Sequence, residues 1–260
     1  MGIRNVVQRQ FGPVAAEYAA SMVHASGPDL AVLVDVAAAA GAQRALDVGC
    51  GAGHTALAIA PHVASVVALD LAEAMLDQAR RLAVERGVTN MAFESGDAEH
   101  LPFPDGSFDL VTSRYAAHHF PRPAVALREI ARVLQPGGIL LLVDVVAPPE
   151  PLLDTHLNTI ELLRDPSHVR DHPVDDWRRM LASAGLYAEL LGEWPLRLAF
   201  APWIARMHTP PERAALIRAI FESAPGEVRA GLAIEPDGSF SVPTALLRGS
   251  KPLEPRLEEA

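Results

Sequence analysis

The feature that most constrains the fold is an alternation of short apolar runs with helical segments between residues 42 and 147. Amphipathic segments of about 10 to 15 residues separate several of these runs, a spacing typical of βαβ units. Parallel strands of this kind form a sheet that helices cover on both faces. The five predicted strands are RALDVGC, VVALD, MAFESGD, FDLVTSRY and ILLLVDVVAP.

The pattern changes on both sides of this core. Residues 28–40 carry apolar residues at helical spacing, and they indicate N-terminal cap helices over residues 1–41. Beyond Pro148-Pro149 the sequence predicts a polar helical stretch at 150–172, a helix ending at Gly185, a strand, helices over 201–231 and a last β segment. We therefore predict a core at 42–147, a helical lid with the completion of the sheet at 148–250, and a tail at 251–260.

Composition excludes several classes of function. The chain has 22 basic and 32 acidic residues, and its net charge is −10. Without a basic stripe, a nucleic-acid partner is not expected. Lys251 is the only lysine, which excludes a lysine Schiff base and a P-loop. No apolar run is long enough to span a bilayer.

Cys50 is the only cysteine, so no internal disulfide forms, as is usual in a reducing cytosol. A nucleophilic role for Cys50 is one interpretation, and a small apolar residue in a tight turn is the other. The chain is predicted to be a cytoplasmic protein without a membrane or nucleic-acid partner, as a monomer or a homodimer.

A glycine-rich turn joins the first predicted strand to a helix. Gly49, Gly51 and Gly53 let a ligand approach backbone N–H groups and the positive end of a helix. Residues 51–56 match the dinucleotide pattern G-x-G-x-x-G/A, and Asp70 follows Gly51 by 19 residues, as a ribose-binding acid does. The sequence therefore indicates a nucleotide-type ligand at this turn.

The whole string, Asp-Val-Gly-Cys-Gly-Ala-Gly, resembles motif I of the class I S-adenosylmethionine-dependent methyltransferases. The likeness continues in VVALD, in GDAEHLPFPDGSFDLV and in LREIARVLQPGGILLLVD, and it covers about residues 10–147. It is greatest to the ubiquinone/menaquinone C-methyltransferase-like branch. The resemblance implies a Rossmann-like α/β fold with a mostly parallel seven-stranded sheet, and S-adenosylmethionine as the cofactor.

The same resemblance implies roles for particular residues. The backbone at Gly49 and Gly51 would contact the methionine moiety, Asp70 would accept the ribose hydroxyls, and Asp97 would bind the adenine amino group beside Ala98. Alternatively, the aspartates cap helices or close turns. The other predicted cofactor-binding residues are Asp47, Cys50, Leu71, Met75, Ser113 and Tyr115.

A further aromatic residue precedes this core. FGPVAAEYAAS is similar to the segment before the first helix of this branch, and it would bring Tyr18 near the sulfonium. Helix packing is the alternative role of Tyr18.

Two histidines follow the fourth predicted strand, in SRYAAHHF. An imidazole there could take a proton from a phenol, an enol or a carbon acid. Because adjacent side chains diverge, we expect only one of His118 and His119 to face the site, and His118 is preferred. Alternatively, the pair forms a turn before a helix. No metal site is predicted.

The sequence thus predicts methyl transfer from S-adenosylmethionine to a small, partly hydrophobic acceptor bound by the lid, with carbon slightly favoured over oxygen. An NAD-dependent oxidoreductase is one alternative, although His119 occupies the position four residues after Tyr115 where the short-chain type has lysine. A non-catalytic cofactor-binding protein is the other.

Overall fold

The fold is described from a computed structural model that covers residues 2–253, so residues 254–260 of the predicted tail lie outside it. None of the helices in residues 2–253 is long and apolar enough to cross a membrane. The strands are β1 Arg44–Val48, β2 Ser65–Asp70, β3 Met91–Ser95, β4 Phe108–Arg114, β5 Leu134–Val145, β6 Tyr187–Leu198 and β7 Phe240–Ser250. The helices are α1 Ile3–Ala19, α2 Met22–Ala25, α3 Pro28–Ala39, α4 His54–Ile59, α5 Glu73–Glu85, α6 Pro123–Val133, α7 Pro151–Arg164, α8 Val174–Ser183, α9 Phe200–Arg206, α10 Pro211–Ser223 and α11 Gly226–Gly231.

The seven strands form one sheet in the order β3-β2-β1-β4-β5-β7-β6. Neighbouring strands from β3 to β5 are parallel, whereas β7 runs antiparallel to both β5 and β6. The strand order reverses between β1 and β4, and open α/β sheets bind ligands in the crevice at such a point. The predicted mostly parallel seven-stranded sheet is confirmed.

Helices cover both faces of the sheet because successive side chains of a strand point to opposite sides. On one face, Leu46 of β1 belongs to a core that includes Trp177 of α8. On the other face, Ala45 packs in a core with Leu33 of α3 and Ile59 of α4. Burial of each large side chain stabilises the fold by about 1.5–3 kcal/mol. This two-sided packing fixes the direction in which the end of β1 presents its glycine turn.

The C-terminal helices have a core of their own. It combines Ile160 of α7, Trp203 of α9, Phe221 of α10 and Phe240 of β7. Val145, at the carboxyl end of β5, also belongs to it. These helices therefore lie beside the edge of the sheet where the crevice opens.

Prolines shorten two of the predicted helical stretches. The first prediction, 150–172, was too long: α7 ends at Arg164, because Asp165 before Pro166 is extended, with φ −129° and ψ 109°. The second, 201–231, divides into α9, α10 and α11 at Pro210 and Pro225, which precede the last two helices. The loop at 165–173 brings polar residues close to the crevice.

The predicted turn at Pro136-Gly137-Gly138 lies within β5 instead. Pairing with β4 shifts there from Phe108 with Leu134 to Leu110 with Ile139. The turn residues therefore form an irregularity in a longer strand and do not precede it.

All but the last two residues of the segment FGPVAAEYAAS lie inside α1, so the expectation that it precedes the first helix was wrong. The helix continues through Pro13. One face of α1 packs on α5, where Ala15 and Met75 are buried beside Phe11 and Tyr18. This apolar contact outweighs the local effect of the proline.

Candidate functional site

The three glycines of the turn after β1 all have left-handed backbone conformations, with φ of 68°, 53° and 85° at Gly49, Gly51 and Gly53. A Cβ on Gly49 would lie 2.6 Å from the Cβ of Ala116, and one on Gly53 would lie 2.8 Å from the Cβ of Ala79. A Cβ on Gly51 would meet no atom within 4 Å. Two of the glycines therefore make room for neighbouring elements, and only Gly51 leaves space that a ligand can use.

We expect Gly53→Ala and Gly51→Ala to have different effects. Gly53→Ala combines left-handed strain with a clash, and it should lower the free energy of unfolding by about 2–4 kcal/mol. Gly51→Ala should lower it by only about 1 kcal/mol but should weaken S-adenosylhomocysteine binding at least about tenfold, because its methyl group occupies ligand space. Urea unfolding and calorimetric titration measure the two quantities. Equal stability losses with unchanged binding would contradict this division of roles.

A cavity lies above this turn, and we call it the glycine-turn cavity. Most predicted cofactor residues line its wall: Tyr18, Gly49, Cys50, Gly51, Asp70, Leu71, Met75, Asp97, Ala98 and Tyr115. Burial raises the pKa of the Cys50 thiol well above its ordinary value, which favours a small turn residue over a nucleophile.

Asp47 and Ser113 do not line this cavity, in contrast to the prediction. The Asp47 carboxylate is 1% exposed and accepts hydrogen bonds from the Ala56 N–H at 3.1 Å and the Thr112 hydroxyl at 2.7 Å. Ser113 is fully buried in β4. Asp47 therefore ties the start of α4 to β4, which is the capping role considered as an alternative.

Asp70 lies at the end of β2 and faces the glycine-turn cavity. One carboxylate oxygen accepts the Gly51 N–H and the other accepts the Ala72 N–H, both at 2.8 Å. Burial raises the pKa of this carboxyl, and the backbone donors oppose the rise. Each oxygen keeps a second lone pair, so the carboxylate can still receive two hydroxyl groups.

Asp97 follows β3 and is held by a cation from the N-terminal helix. Arg4 lies 2.6 Å from one oxygen of Asp97 and 3.1 Å from Glu99, while the other oxygen of Asp97 accepts the Glu99 N–H at 2.9 Å. The predicted adenine-binding acid therefore also anchors α1 over the cavity.

One face of α1 lines the glycine-turn cavity through Arg4, Val7, Phe11 and Tyr18. Of these residues only Tyr18 was predicted. The four positions are separated by three, four and seven residues, which places them on one side of a helix. That spacing is the signal that could have found them.

His54 is another wall residue that the prediction missed. Its Nε2 donates to the Tyr18 carbonyl at 3.2 Å, and its buried Nδ1 has no hydrogen-bond partner within residues 2–253. This nitrogen is available to a ligand in the glycine-turn cavity.

A second cavity adjoins the first, and five aromatic side chains line both: Phe11, Tyr18, His24, Tyr115 and His119. We call these five the aromatic collar. Ring centroids of successive members lie 4.7–6.0 Å apart. Burial lowers the pKa of His24 well below its ordinary value, so that ring is uncharged near neutral pH. A wall of uncharged rings suits a cationic group.

Backbone strain and a buried ion pair hold part of the collar. Tyr115 has φ 52°, which is uncommon for a residue other than glycine. The preceding Arg114 donates to Asp29 of α3 at 2.6 Å and to the His24 carbonyl at 2.8 Å. These contacts connect the end of β4 to the segment that carries His24.

His118 lines only the second cavity, whereas His119 lines both, so the preference for His118 over His119 stays a prediction. Its Nδ1 lies 2.6 Å from Asp144 of β5, and its backbone N–H donates to the same carboxylate at 3.0 Å. Burial alone would lower the pKa of His118, but the charge and hydrogen bond of Asp144 raise it to about 9. His118 is therefore a cation at neutral pH and not a base.

His119 lines both cavities and differs in charge from its neighbour. Its Nδ1 donates to the Ser167 carbonyl at 3.1 Å, which leaves a lone pair on Nε2. Burial and then the charge of His118 lower the pKa of His119 to about 4. The two rings lie 4.1 Å apart and both line the second cavity, so the expectation that only one would face the site was wrong.

The second cavity contains charged groups from the segment after β5. Glu161, Arg164, Asp171 and Arg206 line it, together with apolar residues that include Trp203. Candidate ligand atoms of His118, Asp144 and Asp171 lie within 4.8 Å of one another, an arrangement that could hold a metal ion. Spacing along the chain did not predict this group, because loops and strands far apart in sequence contribute to it.

Comparison with known proteins gives three similarities. A family profile described as a methyltransferase domain matches residues 46–142. The uncharacterized methyltransferase YcgJ of Bacillus subtilis is 42% identical over 219 residues, which cover 84% of this chain and 87% of YcgJ. The crystal structure of YcgJ superposes with a TM-score of 0.82 at 40% identity, covering 86% of this chain and 98% of that one.

A second relative matches a smaller part of the chain. The demethylmenaquinone methyltransferase of Clavibacter sepedonicus is 40% identical over 111 residues, which cover 43% of this chain and 44% of that protein. The similarity to YcgJ therefore covers most of both chains, whereas the similarity to this second relative covers less than half of either chain.

Proposed function

Because this chain belongs to the class I S-adenosylmethionine-dependent methyltransferases, in the menaquinone-methyltransferase-like branch, we propose that it methylates a small, partly hydrophobic acceptor. Carbon is slightly favoured over oxygen as the methylated atom, on the basis of the branch. The observation that carries the proposal is the aromatic collar shared by the two cavities. It forms a common wall of a nucleotide-type cavity and of a polar cavity suited to a second molecule.

The residues of the glycine-turn cavity fit S-adenosylmethionine. When bound, the cofactor supplies a methyl group on a positively charged sulfur. Asp70 would accept the ribose hydroxyls, Asp97 would accept the adenine amino group, and the open space at Gly51 would receive the methionine moiety. The uncharged rings of Tyr18 and His24 would face the sulfonium without repelling it.

The acceptor would occupy the second cavity, beside the two histidines. His119 lines both cavities, and its Nε2, which lies 3.9 Å from an oxygen of Asp165, would accept a hydrogen bond from an acceptor hydroxyl. His118, kept protonated by Asp144, would stabilise the negative charge that develops when a phenol or enol loses its proton. Such an anion is nucleophilic at oxygen and at the adjacent carbon. The aromatic collar would limit access of water and align the acceptor with the methyl group.

The test is S-adenosylhomocysteine formation with a panel of phenolic and enolic compounds. NMR of a product made with methyl-labelled cofactor identifies the methylated atom. His119→Ala should lower kcat about 100-fold, because positioned proton acceptors typically contribute that much. Binding of S-adenosylhomocysteine should remain close to wild type, and His62→Gln, at an exposed position outside both cavities, should change neither quantity.

Two outcomes would count against this proposal. Cofactor binding without turnover on any acceptor would favour the non-catalytic alternative. Unchanged kcat in His119→Ala would remove that residue from the mechanism. The comparisons do not favour the oxidoreductase alternative, and Lys251 donates to the backbone carbonyls of Ala131 and Leu134 and lines neither cavity.

A further inference from the structure

Arg206, at the end of α9, differs from the other arginines near the second cavity. It lines that cavity and is half-buried, yet it makes no ion pair or hydrogen bond with residues 2–253. In contrast, Arg164 lies 3.4 Å from Glu161 and donates to the Trp203 carbonyl at 3.1 Å. Arg170 is paired with Asp154. Of these three arginines, Arg206 is thus the one whose guanidinium has no anionic partner among the described residues.

We propose that Arg206 forms an anion-binding subsite and that the molecule in the second cavity is a small carboxylic acid. The identification of this molecule as the methyl acceptor rests on the function proposed above. A carboxylate is the natural occupant because its two oxygens match the planar guanidinium in a bidentate, charge-assisted pair.

The electrostatics of the surrounding groups support an anionic occupant. Burial lowers the pKa of Arg206, and the nearby positive charge of Arg164 lowers it further. Three acids also line this cavity: Glu161, Asp165 and Asp171. Glu161 is paired with Arg164, Asp165 accepts the N–H and hydroxyl of Ser167, and burial raises the pKa of Glu161 and of Asp171. A bound carboxylate would relieve the repulsion between the two guanidinium groups, whereas a neutral ligand would leave it in place.

The other residues of the second cavity indicate the chemistry of the ligand beyond its carboxylate. Leu196, Leu198 and Trp203 supply apolar surface in the same wall as Arg206. A buried oxygen of Asp171 has no hydrogen-bond partner in residues 2–253, and since burial raises the pKa of this carboxyl, it can donate to or accept from a hydroxyl group. The ligand class is therefore a small acid with an apolar body and a phenolic or enolic hydroxyl group.

The methionine moiety of the cofactor also carries a carboxylate, which is a second possible anion for Arg206. The position of Arg206 distinguishes this anion from an acid bound in the second cavity. Arg206 lines the second cavity but not the glycine-turn cavity. A role in holding the methionine carboxylate would make Arg206→Gln weaken S-adenosylhomocysteine binding. A role in the second cavity would leave that binding unchanged.

The experiment compares each acid with its neutral amide on protein saturated with S-adenosylhomocysteine. The pairs are 4-hydroxybenzoate with 4-hydroxybenzamide, 4-hydroxyphenylacetate with its amide, and acetoacetate with acetoacetamide, measured by calorimetry at neutral pH. We expect at least one acid to bind about tenfold more tightly than its amide, as a charge-assisted hydrogen bond provides. Arg206→Gln should abolish this preference, and Arg206→Lys should keep part of it.

Arg213→Gln on α10 is the matched control, since Arg213 lines neither cavity, and it should retain the preference. The melting temperature of Arg206→Gln should not fall, because an uncompensated charge is removed, whereas a structural role would lower it. Equal binding of acids and amides, no binding of any acid, or loss of S-adenosylhomocysteine affinity in Arg206→Gln would overturn the proposal. Because the readout is binding, a carboxylate preference without methyl transfer would support the subsite while contradicting the proposed function.

Discussion

Replacement of Asp70 with asparagine is expected to weaken S-adenosylhomocysteine binding about 100-fold or more. The carboxylate can receive two ribose hydroxyls on lone pairs that the Gly51 and Ala72 N–H groups leave free. Hydrogen bonds to a charged group contribute about 1.5–3 kcal/mol each, and the amide weakens both because it lacks the charge and one acceptor oxygen. Calorimetry gives the change in affinity directly.

The control for Asp70→Asn is Asp77→Asn, at an exposed position on α5 where the carboxylate pairs with Arg80. Its affinity should equal that of the wild type. Asp70→Ala, which also removes the acceptors for the turn N–H groups, should show at least the same loss. Wild-type affinity in a folded Asp70→Asn variant would refute the ribose role.

Replacement of Asp144 with asparagine should lower the pKa of His118 by about two units, since a close opposite charge produces shifts of this size. In the wild type, the charge and hydrogen bond of Asp144 raise this pKa to about 9. An NMR titration of the histidine C–H resonances reports the value without any acceptor. Asp35→Asn, at an exposed position on α3, should leave the pKa of His118 unchanged.

The raised pKa of His118 also predicts a dependence of stability on pH. Because the value in the folded chain, about 9, exceeds the ordinary 6.5, the stabilisation is fully present below pH 6.5 and is lost as the pH rises to 9. The loss amounts to about 3 kcal/mol. In Asp144→Asn, the free energy of unfolding should no longer decline between pH 6.5 and 9. The same decline in the wild type and the variant would contradict the ion pair.

Much of the fold could be predicted because it depends on local patterns. The alternation of apolar runs with amphipathic segments predicted the strands β1 to β5 and the helices between them. The extent of the C-terminal helices could not be read from hydrophobic spacing alone, since Pro166, Pro210 and Pro225 interrupt stretches that otherwise read as helical. In α1, by contrast, the helix continues through Pro13 because its packing on α5 outweighs the helix-breaking effect of the proline.

The candidate site was predictable where a residue follows a strand in sequence. Gly51 and Asp97 lie within three residues after β1 and β3, Asp70 is the last residue of β2, and all three line the glycine-turn cavity. The charge states of His118 and His119 were not predictable. They depend on Asp144 and Ser167, which are brought to the histidines by the fold.

The N-terminal helix belongs to the walls of both cavities. Phe11 and Tyr18 line each of them, while Arg4 fastens one end of α1 to Asp97, and Glu17 near the other end contacts His208 beyond α9. A displacement of α1 from the sheet would therefore expose both cavities to solvent in a single movement. Because one helix lines both cavities, entry of ligands from this side would open to the two cavities together.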